Sequence, residues 1–539
     1  MALIPTAEQQ RVIDATDSDV VVLGGPGTGK TLTALLAAQA HCGAPGSRRV
    51  LFVTFTRAAV RELQARASFA GLEGSTRIEI TTFHALAVRL LRVFGHAAGV
   101  VVPEFRLATE ARAKLGPDVG ALTYREVIPL VLKLLEARRV RDLLSTRWSL
   151  VICDEFQDTT SEQLKLLKCC REGARLIALG DENQLIYDGL GASRERVDAF
   201  VARAKSVLRF PEVSHRDPSG LMPALAAAVM RRDFTADVFG QALACGRLSV
   251  VHPVDDDGLP SVMRRQVDDL RALGCSSLGA FTHFNDRVAG LSSTLFEHGV
   301  EHSIAGLPEA HGEGLSAIAM CIAFTGARAT FDDVRAQLAV FTASVSRGRA
   351  PQLALQLLGQ HPLPPLLKSR LIVLEQRLHA VRNNTVREAL AVAGAAWAEA
   401  ISIRQGHRPW ARAYQDLWAR TRKLHDVPIT GEVAAEINGI AERRREATIS
   451  DGDVDERESL LLMNLHQTKG REVDGAIVVF RDDDYFGNEQ APFSSTSRLL
   501  YVAMSRARQH LRIILPRNPH PVAAPLVAFA ATAANGVGS

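Results

Sequence analysis

Residues 20–31 read Val20-Val21-Val22-Leu23-Gly24-Gly25-Pro26-Gly27-Thr28-Gly29-Lys30-Thr31, an apolar run that passes into a glycine-rich loop. The spacing fits G-x-x-x-x-G-K-[ST], the phosphate-binding loop. Gly24, Gly25, Gly27 and Gly29, with Pro26, let the backbone wrap a polyphosphate with its N–H groups. Thr28 completes that turn, Lys30 is placed to reach the outer phosphates and Thr31 to ligate Mg²⁺. The helix expected from about residue 31 to 39 points its positive end at the anion. A strand pattern before the loop and a helix pattern after it separate this stretch from an ordinary glycine turn. Together they predict a nucleotide polyphosphate with Mg²⁺ bound by an α/β fold; ATP as the nucleotide follows from the blocks further along the chain.

The chain has 539 residues, enough for three or four domains, and 47% hydrophobic residues suit ordinary globular cores. Lys and Arg number 63 against 59 Asp and Glu, so a nucleic-acid surface has to be a local groove rather than a uniformly basic body. The seven cysteines are scattered, with no C-x-x-C pair or metal spacing, which suits a reducing interior. The Met1 end lacks a basic-then-apolar leader and no apolar run spans a bilayer. A cytoplasmic protein without membrane partners is the expectation.

Before the loop, residues 5–15 read as a helix capped by Thr6. A side-chain amide there, at Gln9, carries the donor and acceptor that adenine's edges need, although a solvated helix residue reads the same way. After it, residues 49–63 and 78–92 each read as a buried strand passing into an amphipathic helix. These place Thr54, Phe55 and Thr56, and then Thr82 and His84, at strand carboxyl ends, where ligands of open α/β sheets bind. Hydroxyls and helix N-termini suit phosphates and aromatic faces suit bases; caps and core aromatics would read alike. The run Arg138-Arg139-Val140-Arg141 reads as a solvated face, with a DNA-backbone contact as the alternative. Residues 149–158 form an apolar strand ending in Asp154-Glu155. There Asp154 is suited to hold Mg²⁺ and Glu155 to orient or deprotonate the attacking water. Residues 176–187 repeat the plan, with Gln184 placed to sense a γ-phosphate.

The phosphate loop, Thr54-Phe55-Thr56, Thr82-Phe83-His84, Asp154-Glu155-Phe156-Gln157-Asp158 and Gly180-Asp181-Glu182-Asn183-Gln184-Leu185-Ile186-Tyr187 stand in the order and spacing of a known group. The chain resembles superfamily 1 helicases of the UvrD/Rep (PcrA-like) family. That resemblance extends to Ser214-His215-Arg216-Asp217-Pro218, whose Arg216 would reach the γ-phosphate from a second motor domain. It includes residues 463–474, where His466 would meet the DNA strand and Glu472 the ribose, and residues 498–507, where Arg506 would be a second arginine finger. Tyr187 joins the expected DNA contacts, and His215 stands on the adenine side in place of the family's usual Tyr.

The fold implied is α/β, with two RecA-like parallel-sheet P-loop NTPase domains and mainly helical insertions. The boundaries read from sequence are 1–92 with 148–205 for the first domain and 206–330 with 455–517 for the second. Insertions cover 93–147 and 331–454, the latter with Trp397, Trp410 and Trp418 among several Arg, which read as amphipathic helices with buried Trp or, as the alternative, a nucleic-acid contact. The tail is 518–539. The activity implied is a DNA-dependent ATPase moving 3′ to 5′ on single-stranded or tailed DNA, in repair, replication or related processing. Departures from the family pattern lie at Gly189 and Leu190, where an aromatic and an Arg are usual, and at Leu32 and His215 on the adenine side. The short insertions and the lost aromatic also admit a nucleotide-gated DNA-binding or regulatory subunit, serving a nuclease or repair partner as in the Gabija anti-phage system. A small-molecule kinase would not need the block around His466.

Overall fold

In the computed structural model, residues 5–530 are described apart from 17, 45, 47, 70, 73–74, 103–104, 117–120, 186–193, 212, 216, 306–308, 347, 402–403, 450–459, 483, 485 and 487–492. The chain divides into two compact units. One comprises Met1–Val101, Val127–Ala305 and Asp455–Ser539, and the other Val102–Glu126 and Gly306–Val454.

The first unit holds two six-stranded sheets. Its opening strands are β1 (Val20–Leu23), β2 (Arg49–Thr54) and β3 (Ile78–Thr82). After the pair β4 (Arg106–Ala108) and β5 (Ala121–Thr123) of the second unit come β6 (Trp148–Cys153), β7 (Arg175–Gly180) and β8 (Ser206–Arg209). The first sheet runs β3-β2-β6-β7-β1-β8, all parallel. The other sheet uses β9 (Leu248–Val251), β10 (Leu278–Thr282), β11 (His302–Ile304), β12 (Leu460–Asn464), β13 (Val473–Val479) and β14 (Ala507–Ile514). Its order is β11-β12-β10-β13-β14-β9, again all parallel. β1 is buried along its whole length, the continuous apolar run that a parallel sheet covered on both faces requires.

Parallel pairing brings the functional loops to one edge. Leu23 pairs with Gly180, Val53 with Cys153 and Thr54 with Thr82, so the residues following β1, β2, β3, β6 and β7 all leave the same carboxyl rim. Open α/β sheets bind ligands in that crevice.

Several boundaries differ from the sequence reading. β8 extends the first sheet beyond residue 205, because Val20–Leu23 pairs with Ser206–Arg209. Of the segment 93–147, only Val102–Glu126 belongs to the helical unit; the helices Tyr124–Leu134 and Arg138–Ser145 lead back to β6. The helical unit starts at Gly306 rather than 331, since the helix Glu309–Thr325 is buried on nearly every side within that unit's own core. Of the expected tail, residues 518–530 pack on the body: Val522 and Leu526 are buried, and Phe529 stacks on Phe239 at 4.4 Å. In the helical unit Trp397 and Trp410 are core residues, 5.8 Å apart and both edge-on to Phe341. The indole of Trp410 donates to Gly394 O at 2.9 Å. No described helix is long and apolar enough to cross a membrane.

Candidate nucleotide site and strand ends

The loop after β1 takes the shape that its glycines permit. Gly27 and Gly29 sit at φ of 76° and 87°, in the left-handed region that other residues avoid. The Thr28 hydroxyl donates to Gly25 O at 2.9 Å, and the Lys30 ammonium donates to Gly24 O and Gly25 O at 2.6 and 2.9 Å. Helix Lys30–Gly43 starts here, so its N–H groups face the loop's concavity.

β6 delivers the acidic groups. The Thr31 hydroxyl lies 3.5 Å from Asp154 Oδ2, and Glu155 N donates to Asp154 Oδ1 at 3.0 Å. Glu155 is left-handed, at φ 51° and ψ 40°, a strained conformation for a residue with a side chain, and Gln157 Nε2 donates to its carboxylate at 2.5 Å. Burial, followed by the charge of Glu155, pushes Asp154 up to about 7 against the pull of Lys30. Burial would raise Glu155 as well, but Lys469, Lys30, Gln157 and Arg506 outweigh it and hold this carboxyl below its usual range. The pair is thus split: Asp154 is shifted toward its neutral form while Glu155 is held ionised.

The second sheet's domain closes the other side. Arg506, buried at the start of β14's approach, donates from Nη2 to Gln184 Oε1 at 2.9 Å and from Nε to Val502 O at 2.9 Å. Gln184 in turn donates to Asp181 Oδ2 at 2.8 Å. Lys469, on the loop after β12, reaches Asp158 Oδ2 and Gln184 O, each at 2.5 Å. Burial pushes Asp158 up to about 7, with the Lys469 ammonium opposing the shift. Neither Lys469 nor Asp158 was among the sequence candidates. The only local signal was their place inside motifs whose neighbours had been assigned.

At the loop's far end, Gln9 is buried, and its side chain accepts from Thr6 N at 3.0 Å in a capping box. A Cβ on Gly29 would stand 2.9 Å from Gln9 Nε2 and 3.5 Å from the His215 ring, and His215 N donates to Gly27 O at 2.8 Å. Gln9, Gly29 and His215 thus adjoin. A Cβ on Gly25 would lie 3.8 Å from the Tyr501 hydroxyl. Glu472 is held by Arg508 at 3.2 Å and by Arg66 at 3.9 Å, and it lines the same cavity as Thr31, Asp154, Glu155 and Arg506.

The strand ends divide by role. Thr54 is buried, Thr56 Oγ1 accepts from Ala59 N at 3.1 Å, and Thr82 Oγ1 caps the helix Phe83–Leu90 through Ala85 N at 3.1 Å. Phe55 is partly exposed and rests on buried Phe83, with ring centroids 5.3 Å apart. Burial pushes the His84 imidazole down to about 4 and lowers His466 as well, so both are neutral at physiological pH. Tyr187, Gly189, Leu190 and Arg216 lie outside the described residues.

The donors suit Mg²⁺ carried in with a polyphosphate. One hydroxyl and one carboxylate converge, and that carboxylate's raised pKa is what a nearby dication would reverse. Among the described residues no cluster of three or more His, Cys, Asp or Glu could hold a metal without such added ligands. These features define the class: a P-loop nucleotide hydrolase domain with RecA-like topology, repeated in a second parallel-sheet domain. In agreement, a family model described as an AAA domain matches residues 9–190. No curated protein matches the chain.

Proposed function

We propose that this protein is an ATP-dependent translocase or helicase of the UvrD/Rep type, moving 3′ to 5′ on single-stranded or tailed DNA. The observation carrying the proposal is Arg506 of the second domain hydrogen-bonded at 2.9 Å to Gln184 of the first, beside Glu155. A hydrolytic site completed by the other domain makes turnover depend on cleft closure, which is the coupling a motor requires. In this reading the loop amides with Lys30 cradle the phosphates, and Gln9 and His215 flank the base. Glu472 meets the ribose, and ionised Glu155 orients the water. Thr31 and Asp154 would hold Mg²⁺, which would supply neutralisation of phosphate charge when bound. Arg506, with Arg216 as the resemblance implies, spreads charge on the γ-phosphate while Gln184 senses it. The strand would run over Thr54, Phe55, Thr56, Thr82, His84, Tyr187 and His466.

Strand displacement on duplexes with a 3′ or a 5′ tail tests the motor. Unwinding confined to 3′-tailed duplex is expected, and a preference for 5′ tails contradicts the polarity. ATP hydrolysis without displacement would favour the regulatory-subunit reading, with a nuclease or repair protein as partner.

A further inference from the structure

β10 ends in Thr282-His283-Phe284, and the helix Asn285–Glu297 begins at once. Phe284 is 42% exposed, while His283 beneath it is buried. Their ring centroids lie 3.7 Å apart at 32°, and His283 also stacks on buried Phe486 at 3.9 Å and 15°. Single exposed aromatics are common on protein surfaces. This one packs on a buried ring that is itself stacked on another, which restrains its orientation before anything binds.

Its position matters as much. Thr282 pairs with Asn464 in the β10–β12 register, and Leu465 N donates to Thr282 O at 2.9 Å. Two residues further on, Phe284 and His466 leave neighbouring strands at the same rim. The first domain uses the same device at Thr54-Phe55 and Thr82-Phe83, where partly exposed Phe55 rests on buried Phe83. His283 Nδ1 is buried and has no hydrogen-bond partner among the described residues. Phe284 is also the N-cap of helix Asn285–Glu297, with Arg287 N and Val288 N donating to its carbonyl at 2.9 and 3.0 Å, so it sits at a helix start, an end that favours phosphates.

We propose that Phe284, backed by His283 and Phe486, is a nucleobase-stacking platform for the single strand in the second domain. It gives that domain a base grip equivalent to the one Phe55 and Phe83 give the first, and it supplies stacking that Gly189 cannot. The assignment rests on the DNA-motor reading.

The test uses the full chain, a fluorescein-labelled oligothymidylate for affinity, and a strand containing 2-aminopurine, whose emission is quenched when it stacks. Phe284→Leu keeps apolar volume but removes the π face. It and Phe284→Ala should weaken strand binding about 5- to 150-fold and relieve the quenching, whereas Phe284→Trp should stay within about twofold of the parent. If the parent binds strand and Phe284→Leu binds equally well with equal quenching, the platform is wrong and the motor reading stands. If the parent binds no strand, the motor reading itself falls, and the platform with it.

Discussion

At the residue scale, the site depends on a few buried charges whose partners come from far along the chain. Lys469 and Asp158 are almost fully buried and 2.5 Å apart. Removing one member of such a pair strands the other charge in a low dielectric and costs about 3–5 kcal/mol. Lys469→Ala should therefore lower the urea midpoint markedly, and the double change Lys469→Met with Asp158→Asn should recover most of the loss. Equal midpoints for parent and Lys469→Ala would contradict a buried, energetically coupled pair. His283 gives a pH signature. Burial, then His466, His520 and Arg287, push its imidazole down to about 3. With the folded value below the unfolded value of about 6.5, its contribution to stability is present above about pH 6.5 and is lost as pH falls from there towards 3. Urea midpoints of the parent should drop between about pH 7 and pH 5, and His283→Phe should flatten that drop; parallel curves would contradict the assignment. That the loop of Lys30 and the strand end at Asp154 and Glu155 would meet is legible in sequence, because both follow strands that a parallel sheet brings to one rim. The Lys469–Asp158 pair and the Phe284–His283–Phe486 stack are not, because each closes over distances in sequence that no local pattern encodes.

At the element scale, the strands and their caps follow from short-range rules. Thr160 and Gln163 form a capping box at the start of helix Ser161–Cys170, with Gln163 N donating to Thr160 Oγ1 at 3.2 Å and Thr160 N to Gln163 Oε1 at 2.9 Å. Thr160→Ala should cost about 1 kcal/mol by chemical denaturation, and Thr160→Ser much less; no loss in Thr160→Ala would show that the cap is dispensable. The helix at the chain start and its Thr6 cap were readable in the same way. β8 was not, since four residues of mixed burial carry no distinctive period and only pairing with β1 makes them a strand. Helix Glu309–Thr325 packs in the helical unit, whereas the sequence reading places it with the second sheet, for a related reason. A helix apolar on all sides says that it is buried, not which core buries it.

At the scale of the whole molecule, two parallel sheets in one compact unit present candidate site residues to a common cavity, with Thr31, Asp154 and Glu155 from one domain and Glu472 and Arg506 from the other. The repeated sheet could be anticipated from the order of the sequence blocks, whereas the extent of the helical unit depended on packing. The central claim is that hydrolysis at this shared site is geared to a DNA strand. The most direct measurement is the steady-state ATPase rate with and without single-stranded DNA, for the parent and for Glu155→Gln. The account predicts a rate that rises severalfold with the strand in the parent, and a loss of about 10²-fold or more in Glu155→Gln under both conditions. A parent rate indifferent to DNA, or strand-stimulated hydrolysis surviving in Glu155→Gln, would contradict it.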